Sequence, residues 1–244
     1  MPEALTYPRF LPVGDTAMTV EFGDAIAPEL NNAVIGLDIA LAAAEPDGII
    51  ETVPTYRSLL ICYDPLETSF VQLVSEVRGL LARGLPAQIN ETATWRVPFV
   101  SDPPFADDLP EVAHRQSLTE DEVISLFTSV EYQVYMVGFA PGMPYLGGLP
   151  DALHISRKET PRPQVPAGAV MIGGIQACIV PTIVPSAWYT LGRTPLRPFM
   201  PDRQDPFLFR PGDRVRFRRV DVGEFERLAR LGTQALLSMV RAAR

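Results

Sequence analysis

Two cysteines, two histidines and a single lysine are all that this chain of 244 residues carries of those three types. Cys62 and Cys178, with His114 and His154, have no spacing that makes a zinc site, so no metal is expected. Cys62 lies in the apolar run LLICY and reads as a small core residue, while Cys178 has no histidine in its neighbourhood. With no G-x-S-x-G and no serine–histidine pair either, nucleophilic catalysis within the chain is not expected. Lys158 is the one lysine, and no G-x-x-x-x-G-K is present; any ATP chemistry must draw on other protein. No apolar stretch reaches the ~20 residues of a membrane span, and MPEALTYPRF lacks the basic and then apolar regions of a signal peptide. The expectation is a cytoplasmic protein with no membrane partner.

Hydrophobic residues at 47% and charged residues at 20% describe a folded globular chain, long enough for one large domain or two small ones. Charge is unevenly placed. Residues 1–150 carry a net −15 and residues 151–244 a net +7, giving −8 in all. Such asymmetry fits an anionic ligand on the basic part or docking of the two parts. An acidic chain argues against nucleic acid, so RVRFRRV, residues 214 to 220, reads as a solvated strand face.

Alternation of Met18, Val20 and Phe22 marks a strand, and Pro28 can start a helix with Leu30, Val34, Leu37 and Leu41 on one stripe. Strands at Ile49 to Val53 and Tyr56 to Tyr63 precede a second helix, Thr68 to Arg83, which Gly84 can close with a left-handed cap. With Trp95 to Val100 as fourth strand, the order is β-α-β-β-α-β. That predicts a ferredoxin-like α+β domain over residues 1–92. Beyond it, Thr119 and Glu122 form a capping box for a helix. Strands are expected at Val130 to Phe139, Ala169 to Gly173, Cys178 to Pro181, Ala187 to Leu191, Phe207 to Phe209 and Arg214 to Val220, the last two joined by a turn at Pro211-Gly212-Asp213. Many short strands with Pro/Gly loops predict a closed barrel or a sandwich over residues 93–220, followed by a helix over 221–244 starting at Asp221 and Glu224.

Three loops share an unusual character: GFAPGMPYLGGLP from Gly138, RKETPRPQVPAGAVMIGGIQA from Arg157, and PSAWYTLGRTP from Pro185. Prolines stiffen each, glycines allow close approach, and a few polar side chains stand among apolar ones, which is the composition of a preformed pocket. Arg162 and Arg193 are the anion-recognition candidates, each equally able to pair with an acid or a loop carbonyl. Gln176 can bond a ureido or amide group or satisfy a tight turn. Tyr145 and Trp188 can stack on a ring or plug the core. The expected substrate-binding set is Tyr135, Phe139, Pro141, Gly142, Tyr145, Arg162, Pro166, Gly168, Gln176 and Arg193; catalytic residues are not assigned.

YPRFLPVGDTAMTVEFG, SVEYQVYMVGFAPGMPYLGGLP, TPRPQVPAGAVMIGGIQ, WYTLGRTP and FLFRPGDRVRF, in this order, resemble the family of the 5-oxoprolinase B subunit, also known as allophanate hydrolase subunit 1, KipI-like, or carboxyltransferase domain subdomain C. The resemblance runs from about residue 7 to residue 220. It implies a small N-terminal α+β domain and a C-terminal cyclophilin-like β-barrel. It also implies partners, a KipA-like C component (allophanate hydrolase subunit 2 type) and a LamB/YcsF-like A component, which together hydrolyse 5-oxoproline to glutamate with ATP bound elsewhere in the complex. Alternatives within the family are a urea carboxylase or allophanate hydrolase-type carboxyltransferase subunit, which would involve biotin, and a non-enzymatic histidine kinase inhibitor. The chain departs from the family pattern at Phe127, where histidine is common, and at Met143, Ala177, Ser186 and Ala187. These departures point to an altered pocket, another amide substrate or a regulatory role.

Overall fold

The computed structural model describes residues 6–86 and 92–241. Contacts divide the chain into two compact units, Met1–Glu91 and Thr92–Arg244.

In the first unit, β1 (Arg9–Val13), β2 (Ala17–Glu21), α1 (Pro28–Ala44), β3 (Ile49–Pro54), β4 (Ser58–Tyr63) and α2 (Phe70–Arg83) follow in order. The strands form an antiparallel sheet in the order β1-β2-β4-β3. Met18, Val20, Leu59 and Ile61 share a buried core with Val34, Leu37 and Leu41 of α1 and with Leu73 and Val77 of α2. Pro28 opens α1 because the N–H it lacks would have no intrahelical acceptor at that position. Ser69 and Gln72 cap α2 reciprocally, an addition to the expected features of this helix. Gly84 has φ +87° but ψ 136°, so it ends α2 without a left-handed helical cap.

The expected fourth strand belongs elsewhere. Trp95 to Val100 does not join this sheet; the edge beside β2 is taken by the N-terminal β1. Alternation marks a strand but carries no information about its partner, which here lies far along the chain.

The second unit contains β5 (Thr94–Phe99), α3 (Leu109–Gln116), α4 (Glu120–Thr128), β6 (Tyr132–Val137), β7 (Pro144–Gly147), β8 (Arg162–Val165), β9 (Ala169–Gly173), β10 (Gln176–Ile179), β11 (Val184–Ser186), β12 (Tyr189–Arg193), β13 (Arg214–Arg219), α5 (Val222–Ala229) and α6 (Thr233–Val240). Seven strands make one sheet, β12-β9-β10-β7-β6-β13-β5. Its two edges meet where Val100 and Arg193 exchange backbone hydrogen bonds of 2.8 and 2.9 Å, nearly closing a barrel. Gly192 sits at this seam, where a Cβ would stand 2.2 Å from the Val100 carbonyl oxygen. β5 and β13 run parallel, and the buried Asp213 fixes their start by accepting from Ala93 N at 2.8 Å and from Trp95 Nε1 at 2.9 Å.

Period-2 alternation decides which side chains fill the barrel. Val97, Phe99, Val134, Leu146, Val170, Ile172, Ala177, Ile179, Val215 and Phe217 join the main core, together with residues of α3, α4 and α6. Ala169, Met171 and Cys178 alternate with these and belong to a second cluster with Met143, Val165, Val184 and Trp188. That outer cluster is covered by a two-stranded ribbon of β8 and β11.

Several expectations change here. The turn at Pro211-Gly212-Asp213 leads into β13, but Phe207 makes only an isolated bridge to Phe199 in place of a strand. The C-terminal helix breaks near Gly232 into α5 and α6, and Leu228, Leu236 and Val240 are part of the barrel core rather than a separate element. Asp221 caps α5 as expected, accepting from Glu224 N at 2.7 Å. The proline- and acid-rich stretch before Thr119 contains α3, with proline in its first turn. Among the described residues no helix is long and apolar enough to cross a membrane.

Candidate functional site

The run GFAPGMPYLGGLP is half loop and half strand. Gly138 N donates to Met143 O at 3.1 Å and Met143 N to Ala140 O at 3.0 Å, closing a tight loop, after which Pro144–Gly147 enters the sheet as β7. Phe139 has φ +67°, a region that side chains with a Cβ seldom occupy, and it is 70% exposed. Gly142, with φ +75°, lets the loop lie against the 198–199 backbone, where a Cβ would come within 2.8 Å of Pro198 O.

Beside this loop lies a cavity of about 160 Å³, lined by Phe139, Met143, Tyr145, Arg157 and the segment 184–188. Trp188 is buried and packs on Gly173, where a Cβ would stand 2.6 Å from the indole. Tyr145 meets Trp188 edge-on, with ring centroids 5.8 Å apart. The Arg157 guanidinium lies over the Trp188 ring at 5.7 Å. Burial raises the Tyr145 phenol above its ordinary pKa, and the Arg157 charge opposes the rise. Cys178 itself is fully buried, and burial pushes its thiol far up, so it stays protonated and inert.

A second polar cluster adjoins the cavity through the ribbon. Asp108 is 2% exposed; its Oδ2 accepts from Thr190 N at 2.7 Å, and its Oδ1 faces Lys158 Nζ at 2.7 Å and Arg162 Nη2. Lys158 also reaches Glu111 at 2.7 Å and lies 4.5 Å above the Tyr189 ring. Burial works against the Lys158 charge, but hydrogen bonds and attraction from Asp108 and Glu111 outweigh it and raise the pKa. The sole lysine is thus a strut holding the 157–162 segment, and its backbone N–H donates to Ala187 O at 2.8 Å at the cavity wall.

Of the residues expected at the site, Phe139 and Tyr145 line the cavity. Arg162 is committed to Asp108 and Asp107, the acid-pairing alternative its sequence left open. Arg193 lends its backbone to the barrel seam; its side chain is half-buried and outside the cavity lining. Tyr135 is buried with its ring on Gly147, and Gln176 is buried where β10 turns from β9. Gly168, φ +81°, packs its α-carbon against Thr194 O, while Pro141 and Pro166 are exposed. Arg157, which opens the second of the three loops, lies outside the expected set and yet lines the cavity. Phe127, at a position where histidine is common in the family resembled, is fully buried, 4.7 Å from the Phe217 ring, and has no route to proton transfer.

Residues 8–209 match the family described as carboxyltransferase domain, subdomain C and D. The chain is 35% identical over 223 residues to the B subunit of 5-oxoprolinase from Bacillus subtilis (strain 168), covering 87% of this chain and 93% of that protein. The crystal structure of TTHA0988 superposes with a TM-score of 0.75 at 37% identity, covering 84% of this chain and 40% of that one, so the chain spans less than half of that longer relative. Urea carboxylase of Kluyveromyces lactis shares the fold, with a TM-score of 0.72 at 20% identity over 90% of this chain and 22% of the enzyme. On these matches the chain belongs to the carboxyltransferase domain, subdomain C and D, family, with the B subunit of 5-oxoprolinase among its relatives.

Proposed function

We propose that this chain is the B subunit of a multi-subunit, ATP-dependent hydrolase of the 5-oxoprolinase type, opening a cyclic amide such as 5-oxoproline to glutamate. The observation that carries it is the 35% identity spanning 93% of a relative named as that subunit. Its partners in this reading are a KipA-like C component and a LamB/YcsF-like A component, which contribute the ATP site that a chain without a P-loop does not bring. The inert Cys178 suits a protein that binds and positions rather than one that supplies a nucleophile. In the same reading the first unit is a ferredoxin-like sheet whose outer strand is supplied from the N-terminus, and the second is a cyclophilin-like barrel.

A second reading is supported by the fold likeness to urea carboxylase: a carboxyltransferase subunit that handles carboxybiotin. One experiment separates the two. Purified chain mixed with its A and C companions, ATP and 5-oxoproline is expected to release glutamate, and to stop when this chain is withheld. No turnover in the complete mixture, with biotin-dependent carboxyl transfer instead, would reverse the order of the two readings.

A further inference from the structure

We infer that the cavity between the 138–143 loop and the 184–188 segment is a binding site for a small, flat monocarboxylate, with Arg157 as its anchor and Tyr145 and Trp188 as its apolar wall. Size is the first constraint. At about 160 Å³ the space is well under the ~300–1,000 Å³ of a drug-sized pocket, which suits a small molecule. Chemistry is the second. The lining contains one cation and no carboxylate, and among the described residues Arg157 makes no ion pair. Its guanidinium lies over an indole, which leaves N–H groups in its own plane available for a bidentate bond to one carboxylate.

The rest of the lining rewards a flat apolar body. Trp188 is held rigidly by its seat on Gly173, and Tyr145 stands edge-on to it, so the two rings form a preset corner. Met143 supplies a flexible floor, and the Ser186 hydroxyl, which accepts from Trp188 N at 3.1 Å, retains a proton to donate to a ligand carbonyl. Phe139, held in solvent on a constrained backbone, is the remaining wall of the mouth. The inference stands on this geometry; naming a five-membered lactam acid as the natural occupant rests on the function proposed above.

Tryptophan emission reads the site directly, because Trp95, the only other tryptophan, is buried in the barrel core and bonded to Asp213. The purified chain is titrated with benzoate, benzamide, 5-oxoproline and 2-pyrrolidinone. Both acids are expected to change the emission, each binding at least tenfold more tightly than its neutral counterpart, and the response should vanish in Trp188→Phe. Arg157→Ala should remove the preference for acids with an unchanged melting temperature, and Arg157→Lys should restore only part of it. Equal binding of acid and amide, wild-type affinity in Arg157→Ala, or no response to any probe overturns the inference. If benzoate binds and 5-oxoproline does not, the site is upheld and the proposed substrate is what fails. If the full mixture of subunits turns over 5-oxoproline with the same KM after Arg157→Ala, the lactam acid is not the occupant of this site and the proposed function survives.

Discussion

Arg162 and Arg157 lie five positions apart on one stretch of chain, yet their surroundings are opposite. Arg162 joins Lys158 around the buried Asp108 carboxylate, while Arg157 lies over an indole beside an open cavity. A cation whose hydrogen bonds are already taken by a buried acid is part of the scaffold. One with only a ring beneath it keeps its donors for something else. The comparison therefore assigns binding by what is left uncommitted, and proximity to proline and glycine is a poorer guide.

The sharpest way to break the comparison is Asp108→Ala. It strips Lys158 and Arg162 of their shared acid and Thr190 N of its acceptor, so a loss of about 3–5 kcal/mol in denaturant unfolding is expected, the range for breaking a buried pair. Arg162→Ala should cost less, about 1–3 kcal/mol, because Lys158 and Thr190 still hold the carboxylate. If urea unfolding shows Arg162→Ala to be neutral, the scaffold assignment is wrong.

Glu111 gives a smaller, pH-dependent effect. The hydrogen bond from Lys158 holds its carboxyl below the ordinary range, although the side chain is partly exposed and the pair is screened by salt. A depressed folded pKa means that the stabilisation is present above the unfolded value of ~4.3 and is lost as pH falls through the folded value. The gap in melting temperature between the native chain and Glu111→Gln should therefore close on acidification below about pH 4; a gap that is constant with pH would show that the pair contributes by packing alone. Smallest of all on stability is Arg157→Ala, expected within about 0.5 kcal/mol in the same unfolding assay because the side chain is exposed. A large loss there would erase the contrast with Arg162.

Much of the fold is legible from local pattern. β9 falls on the expected residues, and β13 alternates buried Val215 and Phe217 with arginines that pair with Glu131, Glu224 and Asp121. The Thr119–Glu122 box caps α4 as expected. What alternation cannot supply is partnership: β5 has the same texture whether it closes the first sheet or the barrel. α3 is hidden because prolines and acids read as a linker, although both suit a first helical turn. Composition singles out Phe139 and Tyr145, which line the cavity, since an apolar residue in a rigid loop needs a reason to be there. It does not identify the cation, because whether an arginine is free depends on an acid 54 positions away, as Asp108 is from Arg162.

The pairing of β5 with β13 also sets a timetable. Ala93 and Asp213 are 120 residues apart, so on a ribosome adding about 5–20 residues per second β5 emerges some ~6–24 s before its parallel neighbour exists. During that interval a strand bearing Trp95, Val97 and Phe99 has an unpaired edge that invites wrong pairing with another nascent chain. The helices α3 and α4, which follow β5 directly in the chain and end at Thr128, form from local contacts and are the elements available to shelter it until the last strand arrives.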